Sequence, residues 1–241
     1  MSTEKPGEIS TKFLENSQVN TLAKPISRLS LKAFKASLAG NQSILPESGT
    51  ICVCGKMASG KNYICGLLED SGAGTSTSSD NSSSSGWASV DADLLVHEAI
   101  NHCTEQIKQT FSEEAAKSGL KIVNENGTIN RRELGKLLFK NPELLKKQED
   151  IVYPEITKLI EDFIDKHEKT VINATVLYKT PELLSKCSLI LYVRAPLLKR
   201  FFRVRNRDKL PASQILRRFF AQRNMLSAYK KAGIKILIID N

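Results

Sequence analysis

Ile51-Cys-Val-Cys-Gly-Lys-Met-Ala-Ser-Gly-Lys-Asn-Tyr63 sets a short apolar strand, a glycine-punctuated turn and the start of a helix in succession. Gly55 and Gly60, followed at once by Lys61, fit the phosphate-loop spacing G-x-x-x-x-G-K. Backbone N–H groups of such a turn, and the positive end of the helix after it, face a polyphosphate that glycine lets approach closely. Lys61 adds a mobile positive charge at the β- and γ-phosphates. Asn62 departs from the pattern: Ser or Thr normally places a hydroxyl on Mg²⁺ there, and an amide oxygen is the poorer ligand. Two glycines and a lysine at this spacing arise by chance in about 7% of chains of this length. The strand before them and the helical spacing of Ile64, Leu67 and Leu68 after them lower that several-fold. The stretch predicts a phosphate site on an α/β fold.

Working outward, Trp87-Ala-Ser-Val-Asp-Ala-Asp93 reads as a strand ending in two carboxylates, Asp91 and Asp93, on one face. The carboxyl ends of strands form the ligand crevice of an open α/β sheet. Asp93 there is either a general base or Mg²⁺ partner for phosphoryl transfer, or a helix N-cap for Leu94–Ile100. Thr170–Thr175, Leu189–Val193 and Ile234–Ile239 read as further buried strands at the spacing of a parallel sheet. Residues 94–165 are helix-rich; Asn141-Pro142 starts one helix, and Tyr153-Pro154 is expected to break or kink it. Farther on, Arg203 and Arg207 are i, i+4 neighbours on a helix within 200–222. They either close over transferring phosphates or belong to a basic amphipathic helix pair whose Phe201, Phe202, Phe219 and Phe220 are core.

Residues 1–48 read as a loose extension with one amphipathic helix, Ile26 to Leu38, that presents Leu31, Phe34 and Leu38 on one face. Docking on the domain, a membrane surface or a partner all suit that face. Gly40 suits its C-cap. Residues 71–86 are serine-rich and low in complexity, a flexible insertion rather than core. No apolar run approaches the roughly 18 residues of a membrane span, and no apolar stretch near the start suits a secretory signal. The 241 residues carry a net charge of +9, which favours an anionic partner. No nucleic-acid fold signature accompanies that charge, so none is expected as a ligand. Five cysteines without a C-x-x-C pair read as buried thiols of a reducing, cytoplasmic protein.

Assembled, these residues resemble the dephospho-CoA kinase family of P-loop nucleotide kinases. Gly55–Lys61 resembles its phosphate loop and Val90-Asp-Ala-Asp93 its Asp-Ala-Asp strand end. Gly127-Thr-Ile-Asn-Arg-Arg-Glu-Leu134 with Phe139-Lys-Asn-Pro142 resembles the approach to its coenzyme-binding helices. Arg203, Arg207-Asp208 and Gln222 fall at the spacing of its lid, and Ile239-Asp-Asn241 resembles its late strand end. The resemblance implies a P-loop kinase domain over 49–241. That domain is a three-layer α/β/α fold with a five-stranded parallel sheet, a helical coenzyme-binding region (94–165) and a small lid (200–222). It implies transfer of the γ-phosphate of ATP, with Mg²⁺, to the ribose 3′-hydroxyl of dephospho-CoA. Backbone groups of Gly55, Ala58, Ser59, Gly60, Asn62 and Tyr63, with Lys61, are then expected at the ATP phosphates. Asp93 is expected as base, Arg203 and Arg207 at the phosphates, and Asn62 and Asp91 at Mg²⁺. Besides Asn62, Tyr153-Pro154 replaces the family's His-Pro, Lys179 stands where a glutamate is usual, and the closing helix is missing after Asn241. A kinase for another nucleoside-like acceptor, or a silent nucleotide- or CoA-binding regulator, are the rival expectations.

Overall fold

The computed structural model describes residues 26–40, 44–71 and 86–241. The expectations for residues 1–25 of the extension and for 72–85 of the serine-rich insertion lie outside the described residues. Six strands form one sheet: β1 (Ile26–Ser30), β2 (Gly49–Gly55), β3 (Ala88–Asp91), β4 (Lys169–Asn173), β5 (Cys187–Arg194) and β6 (Lys235–Asp240). Their order is β1-β6-β5-β2-β4-β3, and every pairing is parallel. From β2 the chain goes to β3 and β4 on one side and to β5 and β6 on the other. The carboxyl end of β2 is therefore the switch point where open α/β sheets gather ligands.

Alternation along β2 builds the layers. Ile51 and Val53 point into a core with Ile64 and Leu68 of α2 (Lys61–Asp70), and with Phe34 of α1 (Leu31–Ala39). Cys52 and Cys54 point into the opposite core, with Ile100 of α3 (Ala92–His102), Ile107 and Phe111 of α4 (Thr104–Lys117) and Leu134 of α5 (Arg131–Lys140). That second core also takes Ile156 and Ile160 of α6 (Pro142–Asp165) and Leu183 of α7 (Pro181–Ser185). The four β2 side chains are fully buried, as a strand covered on both faces requires. All five cysteines are free, and only Cys103 is not buried. Burial pushes the Cys65 thiol up to about 12, so it stays protonated at neutral pH.

One local expectation differs from the structure, and of the break or kink expected at Tyr153-Pro154 the break is absent. The stretch Ile26 to Leu38 is not one helix. Its first five residues are β1, paired in register with β6 from Ile26↔Ile236 to Ser30↔Asp240, and only then does α1 begin. The open edge of β6 offered backbone partners that outweighed helical spacing, and this adds a sixth strand to the expected five. Ser30 ends the strand and caps the helix, its hydroxyl accepting from the Ala33 N–H, and Gly40 is the C-cap. The apolar face then docks on the sheet, Phe34 fully buried and Leu31 and Leu38 partly so. Pro154 does not end α6, which continues through it over 24 residues. Pro154 lacks the N–H for one helical bond, while buried Val152, Ile156 and Ile160 on either side keep both halves packed. Among the described residues, no helix is long and apolar enough to cross a membrane.

Phe34 is the anchor of α1, so Phe34→Ala is expected to cost about 3–5 kcal/mol of stability. Chemical denaturation reads this as a lower midpoint; an unchanged midpoint would mean that β1 and α1 unfold apart from the rest.

Candidate active site

The turn between β2 and α2 is held in shape from outside. A Cβ on Gly55 would lie 2.3 Å from the Val193 carbonyl oxygen and 2.7 Å from Ser59 Oγ, so glycine alone fits. Ala58 (φ 58°) and Gly60 (φ 102°) are in the left-handed region, which turns successive backbone groups in different directions. The carbonyls of Met57, Ala58 and Ser59 are all taken by side chains. Arg200 Nε donates to Met57 (2.8 Å), Arg203 Nη1 to Ala58 (3.1 Å) and the Asn241 amide to Ser59 (2.7 Å). On the opposite polarity, the Met57 N–H donates to Gln222 Oε1 at 2.7 Å. Gly60 caps α2 without a side chain, so N–H groups of the first turn of α2 stay available to an anion. Lys61 Nζ reaches back to the Gly55 carbonyl at 3.4 Å.

Three of those struts come from the segment after β5. The helices α8 (Leu197–Asp208) and α9 (Ala212–Ala221) pack through Val204, Ile215 and Phe219, with Met57 and Ala58 of the turn against them. Arg200 is buried and its guanidinium lies over the Phe219 ring at 4.1 Å. Of the four phenylalanines read as core in the helix-pair alternative, only Phe219 is buried; Phe202 and Phe220 are exposed. Arg203 and Arg207 both line the cleft over the turn, together with Lys61, Asn62 and Tyr63. Arg207 is held by its neighbour, Nε to Asp208 Oδ1 at 2.6 Å, which keeps the Asp208 carboxyl below the usual carboxylate range. The cleft encloses about 650 Å³.

The two strand-end carboxylates have different tasks. Asp91, not Asp93, is the N-cap of α3: its Oδ1 accepts from the Asp93 N–H at 2.9 Å. That leaves the Asp93 carboxylate free of capping; among the described residues only the Thr175 hydroxyl donates to it, at 3.3 Å. Asn173, at the end of β4, joins Asp91 to the phosphate turn. Its amide nitrogen is 3.2 Å from Asp91 Oδ2 and 3.2 Å from Asn62 Oδ1. A continuous polar path thus runs from Asn62 through Asn173 and Asp91 to Asp93. Asn173 Oδ1 is buried without a hydrogen-bond partner among the described residues. Thr175 is itself positioned by buried Tyr229 of α10 (Met225–Lys230), whose hydroxyl donates to the Thr175 carbonyl and accepts from the Leu177 N–H. Burial drives that phenol well above its ordinary pKa, so it remains a donor.

Beyond Asp93 lies a second, mostly apolar pocket lined by Val96, Tyr153, Ile156, Leu177 and Lys179. Lys179 Nζ is 2.6 Å from Glu149 Oε1, and the Tyr153 hydroxyl donates to the same oxygen at 3.2 Å. Burial opposes the charge on Lys179, but the hydrogen bonds and charges of Glu149 and Tyr153 together outweigh it and hold the ammonium above its ordinary pKa. The pair is electrically neutral, so this wall lacks the extra cation that Lys179 alone implies. Asn173, Arg200 and Glu149 were not among the expected site residues. Only Asn173 carried a sequence signal, a lone amide at the end of an apolar strand.

Comparison with known proteins bears on this geometry. Residues 63–241 match the family model described as dephospho-CoA kinase. A dephospho-CoA kinase of Treponema pallidum is 33% identical over 178 residues, covering 72% of this chain and 77% of the relative. One from Treponema denticola is 32% identical over 197 residues, 79% of this chain and 81% of the relative. Among solved structures, TT1252 from Thermus thermophilus superposes with a TM-score of 0.63 at 26% identity, over 81% of this chain and 90% of that one.

Because a methyl group at Gly55 meets backbone rather than a yielding side chain, Gly55→Ala is expected to cost about 1–3 kcal/mol and to displace the turn. Thermal melts with and without ATP check it: the ATP-dependent rise in melting temperature should vanish, and a preserved rise would contradict the account of the turn.

Proposed function

The chain belongs to the dephospho-CoA kinase family, and from that premise we propose that it phosphorylates the ribose 3′-hydroxyl of dephospho-CoA with ATP, giving CoA and ADP. The observation that carries this reading is the polar path from Asn62 to Asp93. It sets a free carboxylate between a phosphate-binding turn and a separate apolar pocket, the order in which a donor, a base and an acceptor must stand. The absence of a membrane-crossing helix among the described residues and the free, buried thiols suit a cytoplasmic enzyme.

In this reading the N–H groups at the start of α2 and Lys61 hold the triphosphate. The acceptor lies along the pocket of Val96, Ile156 and Leu177, with its 3′-hydroxyl toward Asp93. That hydroxyl gives its proton to the Asp93 carboxylate as its oxygen bonds to the γ-phosphorus. The bond from γ-phosphorus to the bridging oxygen breaks, and ADP leaves with the electron pair. Arg203 and Arg207, already at the cleft, offset charge that spreads over the transferring group. The residues present fit Mg²⁺: one carboxylate, Asp91, and the amide oxygen of Asn62, both held by the Asn173 amide nitrogen, suit an ion that takes the rest of its ligands from phosphates and water. Mg²⁺, when bound, supplies charge neutralisation at the phosphates. Asn62 serves here as an amide in place of the usual hydroxyl, held in position by Asn173.

The direct experiment measures ADP release from the purified protein with Mg·ATP, with and without dephospho-CoA. Release that depends on dephospho-CoA, with CoA formed in equal amount, is the expected result; ATP binding without release would favour the silent regulator. Asp93→Asn should lower kcat by about 10²–10⁴-fold while the Kd for ATP stays unchanged, and undiminished turnover would remove Asp93 from the reaction. Asn62→Ser is expected to lower the Mg²⁺ concentration for half-maximal rate, measured by Mg²⁺ titration at saturating ATP; an unchanged or higher value would take Asn62 out of the metal site.

A further inference from the structure

The unit β1–α1 lies ahead of the family match, which begins at Tyr63, yet it reaches the nucleotide cleft. Leu31, the first residue of α1, is one of the lining side chains. Its place is set from two sides. Five residues of β1 are in register on β6, where Arg28 and Arg194 both pair with Asp240. Three positions past Leu31, Phe34 is sunk in the core. Leu31 therefore sits at the junction of a strand and a helix that are both tied down.

What Leu31 adds is apolar surface beside an aromatic ring. Lys35, one turn along the same face of α1, holds its ammonium 5.0 Å from the centre of the Tyr63 ring. That contact sets α1 against Tyr63, and Leu31 and Tyr63 both line the cleft. Tyr63 is 47% exposed despite its size. The rest of the lining is of the other kind, with Lys61, Arg203, Arg207 and the amide of Asn241 around the phosphate turn. A nucleoside triphosphate has the same division: a polyanion that the cations and the start of α2 take, and a flat, largely apolar base that they do not.

We propose that β1–α1 is a nucleotide-binding element of this chain, and that Leu31 with Tyr63 seats the base and ribose of the triphosphate whose phosphates the turn holds. This rests on reading the cleft as a nucleotide site, and not on the identity of the acceptor. The appended strand and helix thereby become part of the recognition surface, supplied from outside residues 49–241, over which the chain resembles the family.

The test compares ATP with inorganic tripolyphosphate, which keeps the phosphates and lacks the nucleoside, by calorimetric titration of the full chain with Mg²⁺. Leu31→Asp, at a partly exposed position, is expected to weaken ATP binding about tenfold or more, the scale of a lost base contact. Tyr63→Ser should do the same, Tyr63→Phe should not, and tripolyphosphate should bind both Tyr63 variants as it binds the unaltered protein; the new carboxylate of Leu31→Asp repels both polyanions, so its loss should be clearly larger for ATP than for tripolyphosphate. Unchanged ATP affinity in both Leu31→Asp and Tyr63→Ser would overturn the proposal. So would an equal loss for ATP and tripolyphosphate, because β1–α1 would then only brace the phosphate turn. An unaltered protein that binds neither ligand would overturn it as well. A protein that shows the ATP-selective loss yet forms no CoA would uphold this element and refute the kinase reading instead.

Discussion

The carbonyls of Met57, Ala58 and Ser59 must point away from the phosphate side of the turn, and most of this structure follows from giving them partners. A loop that aims its N–H groups at an anion leaves its C=O groups facing the protein, where an unpaired acceptor costs about 1–3 kcal/mol. Here the partners are Arg200, Arg203 and Asn241, from a helix and a strand end more than a hundred residues away. The small core of Val204, Ile215 and Phe219 therefore does more than hold two helices together. It fixes the height at which two guanidinium groups meet the turn. Arg200 pays for this with a buried Nη2 that lacks an acceptor, and stacking on Phe219 compensates only part of that loss.

The same economy of position governs the acceptor side. Asp91 spends its side chain on capping α3 and on Asn173, and this leaves Asp93, two residues on, unburdened. Among the described residues the Asp93 carboxylate meets a single hydroxyl, whereas Asp91 Oδ1 is taken by a backbone N–H. Base and cap were evenly open for Asp93 on spacing alone; the cap falls to Asp91.

The glycine turn, the buried strands and the paired aspartates were legible because each depends on local pattern: glycine spacing, runs of β-branched residues, a carboxylate at a strand end. What was not legible depends on pairing across the chain. Ile26–Ser30 carries helical spacing and still became a strand, because the edge of β6 more than two hundred residues away needed a partner. Pro154 reads as a break or a kink, and the apolar flank of α6 packed on both sides of it keeps the helix unbroken. Lys179 reads as a misplaced cation, and only the fold brings Glu149 to neutralise it. Asn173 reads as a blemish in an apolar strand, and only the sheet order sets it between Asn62 and Asp91.

The pairing of β1 with β6 has a consequence for how the chain becomes itself. On the ribosome β1 is made early, but the strand it needs is Lys235–Asp240, which emerges after every other element described here. Contacts this distant along the chain form late, since the loop must close before they stabilise anything. Through most of synthesis Leu31 and Phe34 are thus without their seats, while the central strands β2 to β5 can already assemble. Asn241, which locks the Ser59 carbonyl, arrives in the same final step. One late event, the addition of β6, both closes the sheet and sets the phosphate turn, so a partly made chain carries the elements of a nucleotide site without its shape.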